Sequence, residues 1–284
     1  MPLQVAIKTL DYFILTKFTD HNKPPISQMK RTTLRRSALI YFLIVVCLGG
    51  VSASPISSLV VDPARYRIEV HWKDRNGDLL GDLGRLKNYV ENSSGAQGRR
   101  KMVLGMNAGM YLATPNGHPM GLLMVNGRQG CCKASSHGKL ILKQGAARNS
   151  NFYVQPNGVF YITKSGKAGV CKSTEFSRAR EIQWATQSGP MLLVNGQINR
   201  AKAFAPKSSS KTIRNGVGIR KDGHVVMAIS NRPVNFHEFA LYMQQQGCVN
   251  ALYLDGGISA MHCPRLGRFG QGRKLGPLLA VVEG

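Results

Sequence analysis

Carboxylates are scarce in this chain. Among 284 residues there are 14 Asp and Glu against 38 Lys and Arg, a formal charge of +24. Any acid–base chemistry done by a carboxylate must therefore use one of very few residues. Such a surface favours anionic partners: phosphorylated glycans, anionic envelope polymers, nucleic acid or acidic membrane. The basic residues are scattered, however, with no RNP-like motif, zinc-finger spacing or basic helix, which argues against nucleic acid. There is no nucleophile elbow, Walker loop, HExxH pair or dinucleotide fingerprint. No cysteine or histidine set has zinc-ligand spacing, so neither a metal nor a cofactor is expected. Long apolar runs are lacking too: Ala38 to Leu48, 11 residues, is too short to span a membrane securely.

That run sits in a definite setting. Met29-Lys-Arg-Thr-Thr-Leu-Arg-Arg supplies a basic n-region, Ala38 to Leu48 the apolar h-region, and Val51-Ser52-Ala53 a small-residue cleavage site. Residues 29–53 are expected to be a secretory signal peptide, with an uncleaved N-terminal anchor as the alternative. Residues 1–28 have no evident role and read as a non-native or extended N-terminal segment. The working domain is expected over 54–284, exported to the periplasm or secreted, with no stable membrane span once the signal is cleaved. The first 53 residues carry seven basic and two acidic side chains, so the domain keeps 12 carboxylates and a charge of +19. Five of the six cysteines fall within it. In an oxidising compartment the simplest pairings are Cys248 with Cys263 and Cys171 with Cys131 or Cys132.

Along the domain the pattern is short strands and tight turns. Tyr66 to Trp72 alternates, Lys101 to Met106 and Gly121 to Val125 are apolar, and Leu83 to Val90 is a weak helical patch. Asn126-Gly127, Asn195-Gly196 and Asp222-Gly223 are hairpin turns, and Pro156-Asn157-Gly158 is read as another, between Phe152 to Gln155 and Val159 to Thr163. MGLLMVNGR at 120–128 faintly echoes GPMLLVNGQ at 189–197. Ala201 to Lys211 reads as a mobile Lys/Ser/Ala-rich loop. From Val225 the chain reads strand, helix and strand, with Asn235 as N-cap, Gly247 closing the helix and Asp255-Gly256-Gly257 ending the second strand. The expected class is α+β: a single domain of hairpin-rich mixed β-sheets with a βαβ unit at about 223–255. In such units ligands gather beyond the carboxyl ends of the strands, here Ser230-Asn231 and Asp255.

Asp255 is the leading catalytic candidate, because a carboxylate gains nothing from packing at the end of an apolar strand. An Asx-type turn cap is the structural alternative. Glu238, three residues after Asn235, fits a capping box and is secondary as a catalyst. Asp222 belongs to its turn. His118, His237 and His262 are candidate proton carriers. Asn107, Ser188 with Gly189, and Arg214 with Asn215 each place a polar group beside glycine, a way of presenting amides to an anion. Arg214 is the natural bidentate partner for phosphate. Asn231 and Ser259 complete the expected substrate-binding set.

The segments NAGMY (107–111), NFYVQPNGVFYIT (151–163), QSGPMLLVNG (187–196), RNGVGI (214–219) and NALYLDGGISAM (250–261) together resemble the phosphodiester glycosidase family. The resemblance implies an exported α+β hydrolase that cuts a sugar from its phosphodiester link, releasing free sugar and a phosphomonoester. Its substrate would be an anionic sugar-phosphate or envelope glycan. Asp255 would be nucleophile or general base, with Arg214, Asn215, Asn107 and Ser188 on the phosphate and Glu238 or His237 as secondary proton carrier. LDGGIS and NAGMY stand where the animal enzyme has LDGGGS and NGGFF, which bears on the sugar pocket. The reading from another class is a non-catalytic module binding anionic envelope glycan.

Overall fold

Sixteen strands and two helices follow one another in the computed structural model, which describes residues 54–93, 100–112, 117–129, 139–142, 150–177, 181–270 and 274–283. The expected signal peptide, the segment before it, and Cys131 and Cys132 lie outside the described residues. In chain order the elements are β1 (Ile56–Val61), β2 (Arg67–His71), α1 (Leu83–Asn92), β3 (Lys101–Asn107), β4 (Leu123–Val125), β5 (Arg128–Gln129) and β6 (Gly158–Thr163). Then come β7 (Ala168–Lys172), β8 (Ile182–Ser188), β9 (Met191–Val194), β10 (Gln197–Ile198), β11 (Asn215–Arg220) and β12 (Val225–Ser230). The last are α2 (Phe236–Gln245), β13 (Cys248–Tyr253), β14 (Met261–Cys263), β15 (Arg268–Phe269) and β16 (Leu278–Glu283).

The strands form three sheets, ordered β1-β12-β11-β13-β9-β10, β15-β14-β3-β16-β2 and β5-β4-β8-β6-β7, in which every pairing is antiparallel. All three contribute to one central apolar core, which includes Val70, Met106, Phe160, Val217, Met227, Leu252 and Val281. The outer face of the first sheet is covered by α2 through Phe236, Phe239, Ala240 and Met243. Leu83, Leu86 and Val90 of α1 cover the second. At about 1.5–3 kcal/mol per large apolar side chain, this burial is what holds two ten-residue helices that would be marginal alone. The glycines of β11 let α2 come close: a Cβ on Gly218 would lie 2.6 Å from Cys248 Sγ and 2.9 Å from Met243 Cε.

Several expectations change here. The segment 223–255 does contain strand, helix and strand, but β12 and β13 do not pair. Strand β11 lies between them, antiparallel to both. The parallel pair that defines an ordinary βαβ unit is therefore missing, although β12 and β13 point the same way. Phe152 to Gln155 is not a strand: residues Asn151–Tyr153 form a 3-10 turn, and β6 pairs with β7 and β8 instead. The loop 201–211 is tied down by buried Phe204 and by bonds from Arg214 and Asn235 to its carbonyls. Cys248 and Cys263 are buried free thiols in different sheets, so that pairing is not formed. No helix among the described residues is long and apolar enough to cross a membrane.

Candidate functional site

Antiparallel order decides which strand ends meet. In the first sheet β12 and β13 finish at the edge where β11, β9 and β1 begin. Ser230-Asn231, Leu254-Asp255, Arg214-Asn215, Gly189-Pro190 and Ser54 are therefore gathered along one edge. In the second sheet β3 ends at Asn107 beside the start of β14 and β16. In the third, β8 ends at Ser188 beside the start of β6. These three edges meet at residues 107–109. Asp255 N–H donates to Ala108 O at 3.1 Å, and Gly109 N–H donates to Thr186 Oγ1 at 3.1 Å.

A buried amide pair joins the first two edges. Asn215 Nδ2 donates to Asn107 O and Oδ1 at 3.1 and 3.0 Å. Asn107 Nδ2 donates to Asp255 O at 2.7 Å, and Asn107 Oδ1 accepts from Ala260 N–H at 2.8 Å. Ser259 Oγ lies 3.1 Å from both Asn215 Oδ1 and Ile213 O. Asn107 and Asn215 are thus fully occupied in building the turn that carries Asp255. The chain then makes a 3-10 turn, Gly256–Ile258, in which Asp255 Oδ1 accepts from Gly257 N–H at 3.1 Å. A Cβ on Gly256 would collide with Tyr253 Oη beneath it, so glycine is required there.

The Asp255 carboxyl is half-buried at this junction. Burial raises its pKa above the ordinary value and the Gly257 N–H offsets only part of that. Two phenols respond in turn. The Tyr253 hydroxyl is pushed up to about 12, first by burial, with Asp255 adding to it, and Tyr111 is raised by burial and then by Asp255. Most other carboxylates have structural duties. Asp82 caps α1, Glu91 and Glu175 pair with Lys87 and Lys172, and Glu69 pairs with Arg100. Glu238 closes the capping box: its Oε2 accepts from Asn235 N–H at 2.8 Å and its Oε1 faces Lys211 Nζ at 3.3 Å. His237 sits half-buried on the first turn of the same helix.

Arg214 is on the right strand but turned inward. It is 1% exposed, its Nε and Nη2 donate to Val234 O and Ser210 O at 2.8 and 3.0 Å, and its guanidinium stacks 3.7 Å from the Phe236 ring. It braces the site from behind, and its buried Nη1 has no hydrogen-bond partner among the described residues. Ser188 is fully buried, its hydroxyl without a partner among the described residues. His262 lies on the far side of the second sheet, near Lys87 and Glu91, where burial and then Lys87 lower its pKa. His118 packs against Trp72, the two rings tilted by 49°.

Asn231 and Ser259 do face open space. With Ser230, Ile213, Arg268 and Phe269 they line a cavity of about 520 Å³. Arg268 was not singled out in the sequence: it lies in a basic, glycine-rich run with nothing to mark one cation above its neighbours. Its guanidinium contacts Asn231 Oδ1 and lies 3.5 Å from Ser230 O, closing the end of β12. The site thus holds one carboxylate biased toward its neutral form, a rigid amide support and, by way of Ser259, an adjoining cavity with a cation. Among the described residues no three His, Cys, Asp or Glu side chains gather to hold a metal ion.

Residues 100–281 match the phosphodiester glycosidase family. An uncharacterized Escherichia coli protein, YigE, is 35% identical over 237 residues, covering 82% of this chain and 85% of its own. Among solved structures, the zebrafish N-acetylglucosamine-1-phosphodiester alpha-N-acetylglucosaminidase catalytic domain, auto-inhibited by its pro-peptide, is similar at 15% identity and a TM-score of 0.47. That match covers 82% of this chain and 85% of that one. A hypothetical protein from Synechocystis matches at 12% identity, with a TM-score of 0.47 and coverage of 81% and 59%. With the family matched from before β3 to the last strand, this chain belongs to the phosphodiester glycosidase family.

Proposed function

We propose that the protein hydrolyses the glycosidic bond of a sugar-1-phosphodiester, with Asp255 as its catalytic carboxylate. The observation that carries this reading is the placement of Asp255: a half-buried carboxylate with a raised pKa, on a glycine turn where three sheets meet. Breaking the C1–O bond develops positive charge on the sugar, which a nearby carboxylate stabilises or captures. The pair of electrons leaves with the phosphate oxygen. A phosphomonoester with a second pKa of about 6 departs with little need of a proton, so one carboxylate can suffice. Water finally bonds to C1, and its proton passes to Asp255, acting as base, and then to solvent.

In this reading Asn107, Asn215, Arg214 and Ser188 hold the frame, while Ser259, Asn231 and Arg268 are available to substrate. A cation beside the departing phosphate favours the transition state over the ground state. The setting proposed is an exported one acting on anionic envelope or extracellular glycans, which rests on the basic, apolar and small-residue succession of 29–53. The test is incubation of the purified protein with a panel of sugar-1-phosphodiesters, with free sugar read by mass spectrometry. Release by the wild type and none by Asp255→Asn is the expected result. Saturable binding with no product from any substrate would instead make it a glycan-binding module.

A further inference from the structure

A second cleft, of about 1000 Å³, opens on the outer edge of β2, between α1 and the third sheet. Glu69 and His71 of β2 stand on its wall, and they lie before the stretch matched to the family. His71 Nε2 is 2.9 Å from Glu69 Oε2, and Arg100 Nη2 donates to Glu69 Oε1 at 2.6 Å. All three side chains are largely buried, at 8%, 9% and 16% exposure. Burial works to raise the Glu69 carboxyl, but the bonds from His71 and Arg100 outweigh it and hold it below its ordinary value. Packed apolar residues would stabilise such a place as well as an ion pair does, so stability alone does not call for a charged wall.

The chemistry around this triad is specific. The His71 ring is held between Trp184, at 5.5 Å, and Tyr89, at 5.6 Å, and both of these line the cleft. Lys73, Arg75 and Lys164 add positive charge at the rim, whereas the Glu69 charge is already neutralised by its partners. Asp74, Thr163 and Gln183 add acceptors and donors. Aromatic faces for C–H surfaces, mixed donors and acceptors for hydroxyls, and surplus cations for an acid are together the requirements of an acidic sugar. A DNA backbone presents acceptors only and would leave the acceptors of this lining unused.

We infer that this cleft is a second ligand site, taking an acidic saccharide that stacks on Trp184 and Tyr89 while its carboxylate or phosphate meets Lys73, Arg75 and Lys164. The inference does not depend on the activity proposed for Asp255. The cleft is nevertheless close to that site: Asn107, Leu278 and His71 stand in one row across β3, β16 and β2. Two strand spacings, about 10 Å, separate its ends.

The test is calorimetric titration of the intact protein with tetragalacturonate, phosphorylated maltotetraose, neutral maltotetraose and an eight-residue oligothymidylate. One or both acidic saccharides should bind more tightly than the neutral one, and the two acids distinguish a carboxylate from a phosphate ligand. That binding should weaken at least tenfold in Trp184→Ala and in Lys164→Glu, and stay unchanged in Asp255→Asn. Lys164 is 59% exposed and its ion pair with Glu181 is long, at 3.8 Å, and exposed on both sides, so its variant tests the cleft without disturbing the fold. The inference is overturned if neither acidic saccharide binds, if both cleft variants bind like wild type, or if oligothymidylate binds most tightly.

Discussion

The role proposed for Asp255 sets it against the stability of its own fold. Its carboxyl pKa is raised by burial, so the folded state favours the neutral form. A carboxyl raised in this way contributes stability below its unfolded pKa and loses it as pH rises through the folded value. At neutral pH the charge is therefore a burden, and Asp255→Asn should melt no lower than wild type, and above it at pH 7, in a calorimetric scan. Catalysis runs the opposite way. A base or nucleophile must be ionised, so kcat/KM should fall on the acid side through a pKa above the ordinary carboxylate value. Arg214, by contrast, has a structural task. Arg214→Ala would leave Ser210 O without its donor, strip Val234 O of one of its two donors and open a void beside Phe236. By analogy with large-to-small core changes this should cost about 3–5 kcal/mol in a denaturant titration. The Cys248 thiol, pushed up to about 12 by burial, should resist iodoacetamide in the native protein and react only after unfolding, as read by mass spectrometry.

Helix α2 engages Glu238 in its capping box. Its carboxylate is held below the ordinary range by the Asn235 N–H, against the opposing effect of burial, and then by Lys211. Its contribution to stability is accordingly present above its unfolded pKa and lost as pH falls through the lowered folded one. Asn235→Ala should lose about 1 kcal/mol of stability, and Glu238→Gln should keep the activity of the wild type. The cap was legible because Asn235 and Glu238 stand three apart before an apolar helix face. The Asn195-Gly196 and Asn126-Gly127 turns were legible for a similar local reason: both have positive φ at the two central positions, which asparagine and glycine tolerate. Strand order was not legible, because whether β11 inserts between β12 and β13 depends on packing between residues far apart in the chain. The orientation of Arg214 was hidden too. Nothing beside it in sequence reveals that Val234 O, Ser210 O and the Phe236 ring converge on its guanidinium. Arg268 went unnoticed because its significance arises only where β15 brings it to the end of β12.

The molecule as a whole is three antiparallel sheets around a shared core, and the candidate site lies where their ends meet. That position is what would let so acid-poor a protein run the acid–base chemistry proposed for it. Most of its few carboxylates are spent on caps and ion pairs, and one is placed at the convergence of the sheets with amides behind it and Ser259, at the mouth of a cation-bearing cavity, close by in the chain. Segments 107–109, 186–190, 213–215 and 254–260 must all fold together to make it, so the residues of the site are scattered along the chain yet compact in space. The second cleft uses a different part of the same architecture, the outer edge of β2. That Asp255 alone supplies the catalytic carboxylate is decided by sugar release from a sugar-1-phosphodiester, measured side by side for wild type, Asp255→Asn and Glu238→Gln at matched folded concentration. Release by wild type and Glu238→Gln with none above background from Asp255→Asn is the expected result; substantial release by Asp255→Asn would contradict it.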